Sequence, residues 1–177
     1  MRRMLVAVTV VVAFGGGLVA APASVTAAPR SGHRQVTVPF AGSTTFDFSP
    51  PPCAFAHQVF DAGIGRGGGL GTLHLDGCVD LGAGFAFTGT FLITTPHLGE
   101  LEGTVSGTIA TPSSDSCATG LVPGSLTFTL TPTSGTRVFR HDTSPISLVG
   151  VWCSPAVPDV AGPVTGTLTG ALPHNRW

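Results

Sequence analysis

Gly84-Phe85-Ala86-Phe87-Thr88-Gly89-Thr90-Phe91-Leu92-Ile93-Thr94, and shortly after it Leu101-Glu102-Gly103-Thr104-Val105-Ser106-Gly107-Thr108-Ile109, decide the fold class. In the first run Phe85, Phe87, Phe91 and Ile93 occupy every second position, with threonines and small residues between them. In the second, Leu101, Val105 and Ile109 share a face with Gly103 and Gly107, and Glu102, Thr104, Ser106 and Thr108 take the other. Side chains of an extended chain point alternately to opposite faces, so this period of two describes strands buried on one face only. A helix would need apolar residues three and four apart, with caps, and neither run has them.

The pattern repeats in both directions. Leu73, Leu75 and Val79 oppose Thr72, His74 and Asp76; Leu126, Phe128 and Leu130 alternate with threonines; Val164, Leu168 and Leu172 alternate with Thr165, Thr167 and Thr169. Eight strands are predicted, over 35–48 (bent at Gly42), 57–64, 71–79, 84–94, 100–110, 125–131, 145–153 and 164–172, with Gly and Pro punctuating the breaks. Short strands at this spacing make a sandwich or a barrel. Glycines inside strands, as in Gly103-Thr104-Val105-Ser106-Gly107 and Gly166-Thr167-Leu168-Thr169-Gly170, permit the bends that closure needs. The expectation is all-β: an eight-stranded antiparallel meander closed into a small barrel, with a β-sandwich as the alternative.

The amino terminus reads differently. Met1-Arg2-Arg3-Met4 is basic, Leu5 to Ala21 is apolar apart from Thr9 and three glycines, and Val25-Thr26-Ala27 has the small-x-small form of a cleavage site. This is the order of a signal peptide, expected over 1–27, followed by a flexible segment over 28–34 and one domain over 35–177. The alternative, a membrane anchor, is disfavoured by Gly15-Gly16-Gly17 and Pro22. The expected location is extracellular, with no membrane association after cleavage.

Export makes the four cysteines a disulfide framework. There is no C-x-x-C, and no histidines stand at zinc-finger spacing, so no metal is expected. In a meander, the start of one strand lies beside the end of the next. Cys53 precedes the second strand and Cys78 nears the end of the third; Cys117 precedes the sixth and Cys153 ends the seventh. Of three connectivities, Cys53–Cys78 with Cys117–Cys153 fits best. An antibody-type sandwich wants a tryptophan on a strand between its bridged cysteines, whereas Trp152 adjoins Cys153.

Composition narrows the partners. Of the 177 residues 10% are charged, the net charge is −1, and the eight basic residues are all arginines, scattered along the chain. No basic patch for nucleic acid follows, and no polybasic membrane segment. With 42% hydrophobic residues in regular alternation, the 25 glycines and 15 prolines mark turns rather than disorder.

Leu70-Gly71-Thr72-Leu73-His74-Leu75-Asp76-Gly77, Gly84 to Phe91, Leu101 to Thr108 and Val164-Thr165-Gly166-Thr167-Leu168-Thr169-Gly170 together resemble the secreted bacterial proteins grouped with the allene oxide cyclase and dirigent barrels. The resemblance spans roughly 36–172 and implies an eight-stranded antiparallel barrel. It departs from the family after the sixth strand, where Ser134-Gly135-Thr136-Arg137-Val138-Phe139-Arg140-His141-Asp142 stands in place of a Gly-Thr-Gly-Arg-Phe type segment. No catalytic residue of the cyclases or dirigent proteins matches a position here, so no activity comes with the fold.

Candidate chemistry is sparse. Gly63-Ile64-Gly65-Arg66-Gly67-Gly68 spells G-x-G-x-x-G, but it sits between two strands, so it is a hairpin loop rather than a dinucleotide site, and no cofactor is expected. His74 and Asp76 share one strand face, as do Glu100 and Glu102; His57 and Asp61 are similar in kind. All should face water, opposite the apolar rows. His141-Asp142 with Arg137 and Arg140 concentrates charge in one loop, read as a solvated hairpin tip. No nucleophile elbow or H-E-x-x-H occurs, and no catalytic residue is assigned. Phe85, Phe87, Phe91, Phe128 and Trp152 are expected to line the barrel interior, either as packed core or around a small apolar ligand. Three readings stay open: a binding barrel for a small apolar molecule, a structural or cell-surface-associated interaction protein, and a cyclase- or dirigent-like enzyme.

Overall fold

The computed structural model describes residues 33–48, 53–111, 117–155 and 160–173. The expected signal peptide over 1–27 and most of the segment over 28–34 lie outside the described residues. Eight strands follow in order: β1 (His33–Asp47), β2 (Ala56–Ile64), β3 (Gly71–Asp80), β4 (Ala86–Thr95), β5 (Gly99–Ala110), β6 (Val122–Gly135), β7 (Ile146–Ser154) and β8 (Gly162–Pro173). Single 3-10 turns occupy Arg66–Gly68 and Arg137–Phe139. Each strand pairs antiparallel with the next, and β8 pairs with β1, so the meander closes into a barrel and the sandwich alternative falls away. His33 and Arg34, expected in the flexible segment, already pair with Pro173 and Leu172 as the first rungs of β1.

The alternating residues do what their period predicts. The inward row of β3 is Gly71, Leu73, Leu75, Gly77 and Val79, all buried; β5 buries Leu101, Val105 and Ile109, and β6 buries Leu126, Phe128 and Leu130. At the centre three rings meet. Phe60 lies edge-on to Phe87 (5.7 Å) and to Phe128 (5.8 Å), and Phe87 and Phe128 stack at 4.9 Å.

Glycine is required where strands carrying such rings approach most closely. Gly77 and Gly89 face each other across β3 and β4. A Cβ built on Gly89 would lie 2.1 Å from the Asp76 carbonyl oxygen and 2.6 Å from Gly77 Cα. One on Gly77 would meet the Phe87 ring at 2.8 Å. The obstacle to Gly89→Ala is backbone, which can yield only by parting β3 from β4. We expect this substitution to destabilise the protein by about 1–3 kcal/mol, the range for overpacking a filled core. Urea unfolding checks it, and an unchanged midpoint would refute the close-approach account.

Phe85 breaks the expected row. It stands one residue before β4 with φ +59°, and its side chain is 36% exposed. The turn before it is organised by Asp80, whose Oδ1 accepts the N–H groups of Gly82 (2.8 Å) and Ala83 (3.2 Å), and Gly84 follows at φ +70°. The apolar alternation continues in the sequence past the point where the backbone stops being a strand.

Both disulfides form as the meander suggested, Cys53–Cys78 and Cys117–Cys153. The first bridges the segment entering β2 to β3, whose rung Ala56–Val79 is the last of that pair. A meander delivers its connections alternately to the two ends of the barrel, and this sorts the side chains. The end holding the β1–β2, β3–β4, β5–β6 and β7–β8 connections carries both bridges and the exposed apolar side chains Phe48, Phe55, Leu81, Phe85, Val122 and Val160. The opposite end carries Arg34, Arg66, Arg137 and Arg140, every arginine among the described residues.

Candidate functional site

The interior is filled. Phe87, Phe91, Phe128 and Trp152 are buried inside it, whereas Phe85 lies outside. Trp152 stacks on Phe46 at 5.0 Å towards the disulfide-bearing end. The void between Val38, Ile93, Leu101, Ile146 and Leu168 measures about 10 Å³, no more than a single water requires. Among the described residues Gln58 is the one large polar side chain buried on a strand's inward row: its Nε2 donates to Thr44 Oγ1 (3.1 Å), which donates to the Val59 carbonyl (2.8 Å). Gln58 Oε1 and Trp152 Nε1 are buried with no hydrogen-bond partner among the described residues. Among the described residues, no titratable side chain is buried on an inward strand position there.

The outer wall holds the histidines. His74 and Asp76 share a face of β3, but their partners lie across the ladder on β2: His57 Nε2 is 2.8 Å from Asp76 Oδ1, and His74 Nδ1 is 2.7 Å from Asp61 Oδ1. The register produces this, because Asp61 stands directly opposite His74 and His57 one diagonal step from Asp76. Glu102 continues the same lateral row through Leu92, and its Oε1 accepts the Ser134 hydroxyl at 2.5 Å. His74 and Glu102 border a shallow depression of about 360 Å³. No group of three or more metal-ligating side chains occurs among the described residues. The Asp61 and His74 side chains are 69% and 45% exposed, and exposed pairs contribute little. His74→Ala is therefore expected to change stability by under about 1 kcal/mol, measured by thermal unfolding at pH 6 and pH 8.

The 137–142 loop corrects an expectation. It is not a solvated tip throughout: Phe139 is fully buried and Asp142 is 6% exposed. Phe139 turns inward against Gly135 and closes the arginine-bearing end of the barrel. Asp142 is held beneath it, its N–H donating to the Phe139 carbonyl (2.9 Å) and its Oδ1 accepting the Ser144 N–H (3.1 Å); Oδ2 has no hydrogen-bond partner among the described residues. Arg137, Arg140 and His141 face outward.

A broad concave feature lies at this same end. A groove of about 790 Å³ runs between residues 34–39 of β1 and the β2–β3 connection at Gly65, Arg66, Gly69 and Leu70. Val36, Val38, Pro39 and Leu70 give it an apolar lining, and Arg34 and Arg66 flank it. The G-x-G-x-x-G string supplies one wall as a tight hairpin turn, with Gly65, Gly67 and Gly68 all at positive φ. In the sequence Gly65 and Arg66 read only as part of a hairpin loop, and the one signal of a groove is that the first predicted strand is several residues longer than the second. Comparison with protein-family models, with curated proteins and with solved structures finds no match to this chain.

Proposed function

We propose that this is a secreted, disulfide-stabilised binding module that engages its partner from outside the barrel, in the groove at the arginine-bearing end. One contrast carries the reading: the void between Val38, Ile93, Leu101, Ile146 and Leu168 inside the barrel holds about 10 Å³, against about 790 Å³ in the groove. Ligand sites generally occupy roughly 300–1,000 Å³, with mostly apolar walls and a few polar groups that orient the ligand. The groove has that make-up and the interior does not. Secretion is supported by the signal-type amino terminus and by two intramolecular disulfides, which persist in oxidising compartments. Kinship with the allene oxide cyclase and dirigent barrels is part of the proposal at the level of fold only; it brings no reaction, because no catalytic group of theirs is matched.

A photo-crosslinking residue at position 66, compared with one at position 165 on the β7–β8 wall, tests the site. Exposed to the culture fluid and envelope of the producing cell, the protein should form adducts from position 66 and not from 165. Equal labelling from both positions, or labelling from 165 alone, would overturn the groove as the binding site. Native mass spectrometry of the secreted protein should show no small molecule that survives gel filtration. A retained apolar molecule would return the function to the barrel interior.

A further inference from the structure

Scattered in the sequence, the arginines are gathered by the meander. Beyond the expected signal peptide the chain has Arg30, Arg34, Arg66, Arg137, Arg140 and Arg176. Arg34 stands at the start of β1, Arg66 in the β2–β3 turn, and Arg137 and Arg140 in the β6–β7 turn, all at one end of the barrel. Arg30 precedes His33 by three residues and Arg176 follows Pro173 by three, and His33 and Pro173 pair as the terminal rung of β1 with β8 at that same end. Three residues of chain reach at most about 11 Å, so these two arginines belong to the same end. The Arg66, Arg137 and Arg140 side chains are exposed and enter no ion pair among the described residues.

The acids are distributed the other way. Asp47 and Asp80 close β1 and β3 at the disulfide-bearing end, and Asp115 and Asp159 lie in the sequence between β5 and β6 and between β7 and β8. Asp61, Asp76 and Glu102 are on the outer wall, bonded to His74, His57 and Ser134. The acids at the arginine-bearing end are Glu100, which is exposed, and Asp142, which is buried. The barrel is thus an electrical dipole along its axis, although the formal net charge of the chain is −1.

Two features say what the positive end faces. The first is the layout of its charge. The β2–β3 and β6–β7 turns are half a circuit apart in the closed ring, so Arg66 stands across the rim from Arg137 and Arg140. A linear polyanion would meet one side of such a rim, whereas a plane of anions meets all of it. Leu70, which is exposed, adds an apolar side chain to the β2–β3 turn. The second is the order of the chain. The apolar run Leu5 to Ala21 is joined to β1 by the short segment 22–32, and β1 starts at the arginine-bearing end. A chain exported through a bilayer therefore brings the barrel to the outer headgroups with that end nearest.

We propose that the arginine-bearing end docks on a lipid bilayer containing anionic headgroups, with the disulfide-bearing end turned away from the membrane. The surface potential of acidic lipids strengthens binding about fivefold for each arginine held near it. This replaces the sequence-based expectation of no membrane association after cleavage. It goes beyond the groove reading and shares with it only the end of the barrel.

Co-sedimentation of the secreted protein with vesicles tests the proposal. Phosphatidylcholine vesicles with about one-third phosphatidylglycerol should bind it at least about tenfold more tightly than pure phosphatidylcholine, and about 0.5 M NaCl should abolish the difference by shortening the Debye length to a few ångströms. Arg137→Glu with Arg140→Glu should weaken binding at least about tenfold, whereas Arg137→Lys with Arg140→Lys should leave it within about twofold, because a plane of anions reads charge rather than the guanidinium fork. Thr165→Glu on the β7–β8 wall, and Phe48→Ser with Phe55→Ser at the opposite end, should leave it unchanged. Circular dichroism checks that each variant is folded. No vesicle binding, or equal binding to both vesicle types, would overturn the proposal. Binding lost in the Phe48 and Phe55 variant would overturn it too, and would make the disulfide-bearing end the membrane face. Retention by soluble polyphosphate but not by vesicles would identify a linear polyanion instead. Arg137 and Arg140 do not line the groove, so crosslinking from position 66 in the Arg137→Glu with Arg140→Glu variant reports the groove separately.

Discussion

Phe87→Ala is expected to cost about 4 kcal/mol, one of the two largest single effects available in this barrel. Phe87 is fully buried, stacked on Phe128 at 4.9 Å and edge-on to Phe60 at 5.7 Å, and its ring also covers Gly77. Truncation removes the apolar surface of one ring and leaves two others facing a void. The walls cannot collapse to refill it, because the strands beneath are hydrogen-bonded into a closed ladder. Buried phenylalanine-to-alanine changes cost roughly 3–5 kcal/mol, and a rigid site belongs in the upper part of that range. Equilibrium unfolding in urea measures it. The same variant has a second readout: an apolar cavity of benzene size binds benzene, so benzene should raise the melting temperature of the variant and leave the parent unmoved. A loss under about 1.5 kcal/mol, or stabilisation of the parent by benzene, would show that the interior is not filled as described.

The second large effect is removal of both bridges by Cys53→Ser with Cys78→Ser and Cys117→Ser with Cys153→Ser. The cysteines are 25 and 36 residues apart, and loop-closure entropy assigns each bridge about 3.5 kcal/mol. Together they contribute on the order of 7 kcal/mol, comparable with the roughly 5–15 kcal/mol that separates a typical domain from its unfolded state. The fourfold variant should be largely unfolded at 37 °C, and each pairwise variant folded with a clearly lower urea midpoint. Circular dichroism and urea titration distinguish these. Loss of less than 1 kcal/mol per bridge would mean that the unfolded chain is already held compact by other contacts. Both bridges sit at one end of the barrel, so in the pairwise variants hydrogen exchange should rise first at the strand termini there, before the Phe60–Phe87–Phe128 layer.

The legibility of the fold has a physical basis in particular residues. Leu73, Leu75 and Val79, or Leu126, Phe128 and Leu130, state their burial in a local code of period two, because one face of a strand meets the core and the other meets water. Eight such codes with short breaks leave few ways to connect them. The cysteine pairing then followed from adjacency in a meander, and the structure has both bridges. The code failed where backbone conformation departs from extension without a change in residue type. Phe85 continues the alternation by letter but sits in a turn at positive φ, and Phe139 and Asp142 fold inward from a loop that looked polar.

The candidate site was less legible, since its chemistry is a matter of which strand neighbours which, and how far. Asp61 with His74 and His57 with Asp76 are pairs made by register; along the chain His74 stands nearest to Asp76. No single residue announces the groove. It exists because β1 pairs with β8 over twelve rungs and with β2 over eight, so that among the described residues no strand lies beside Gln35 and Thr37 on the β2 side.

By itself the sequence determined the all-β class, the number of strands, the inward rows and the disulfide pairing, all of which rest on local periodicity and on order along the chain. Only the tertiary structure decided that the barrel is filled, that the described arginines gather at one end and most of the exposed large apolar side chains at the other, and that β1 runs several residues past β2. Filling depends on how rings from different strands meet, and sorting and overrun depend on where each strand stops against its neighbours. Those are distances between segments far apart in the chain, and hydrophobic periodicity carries no information about them.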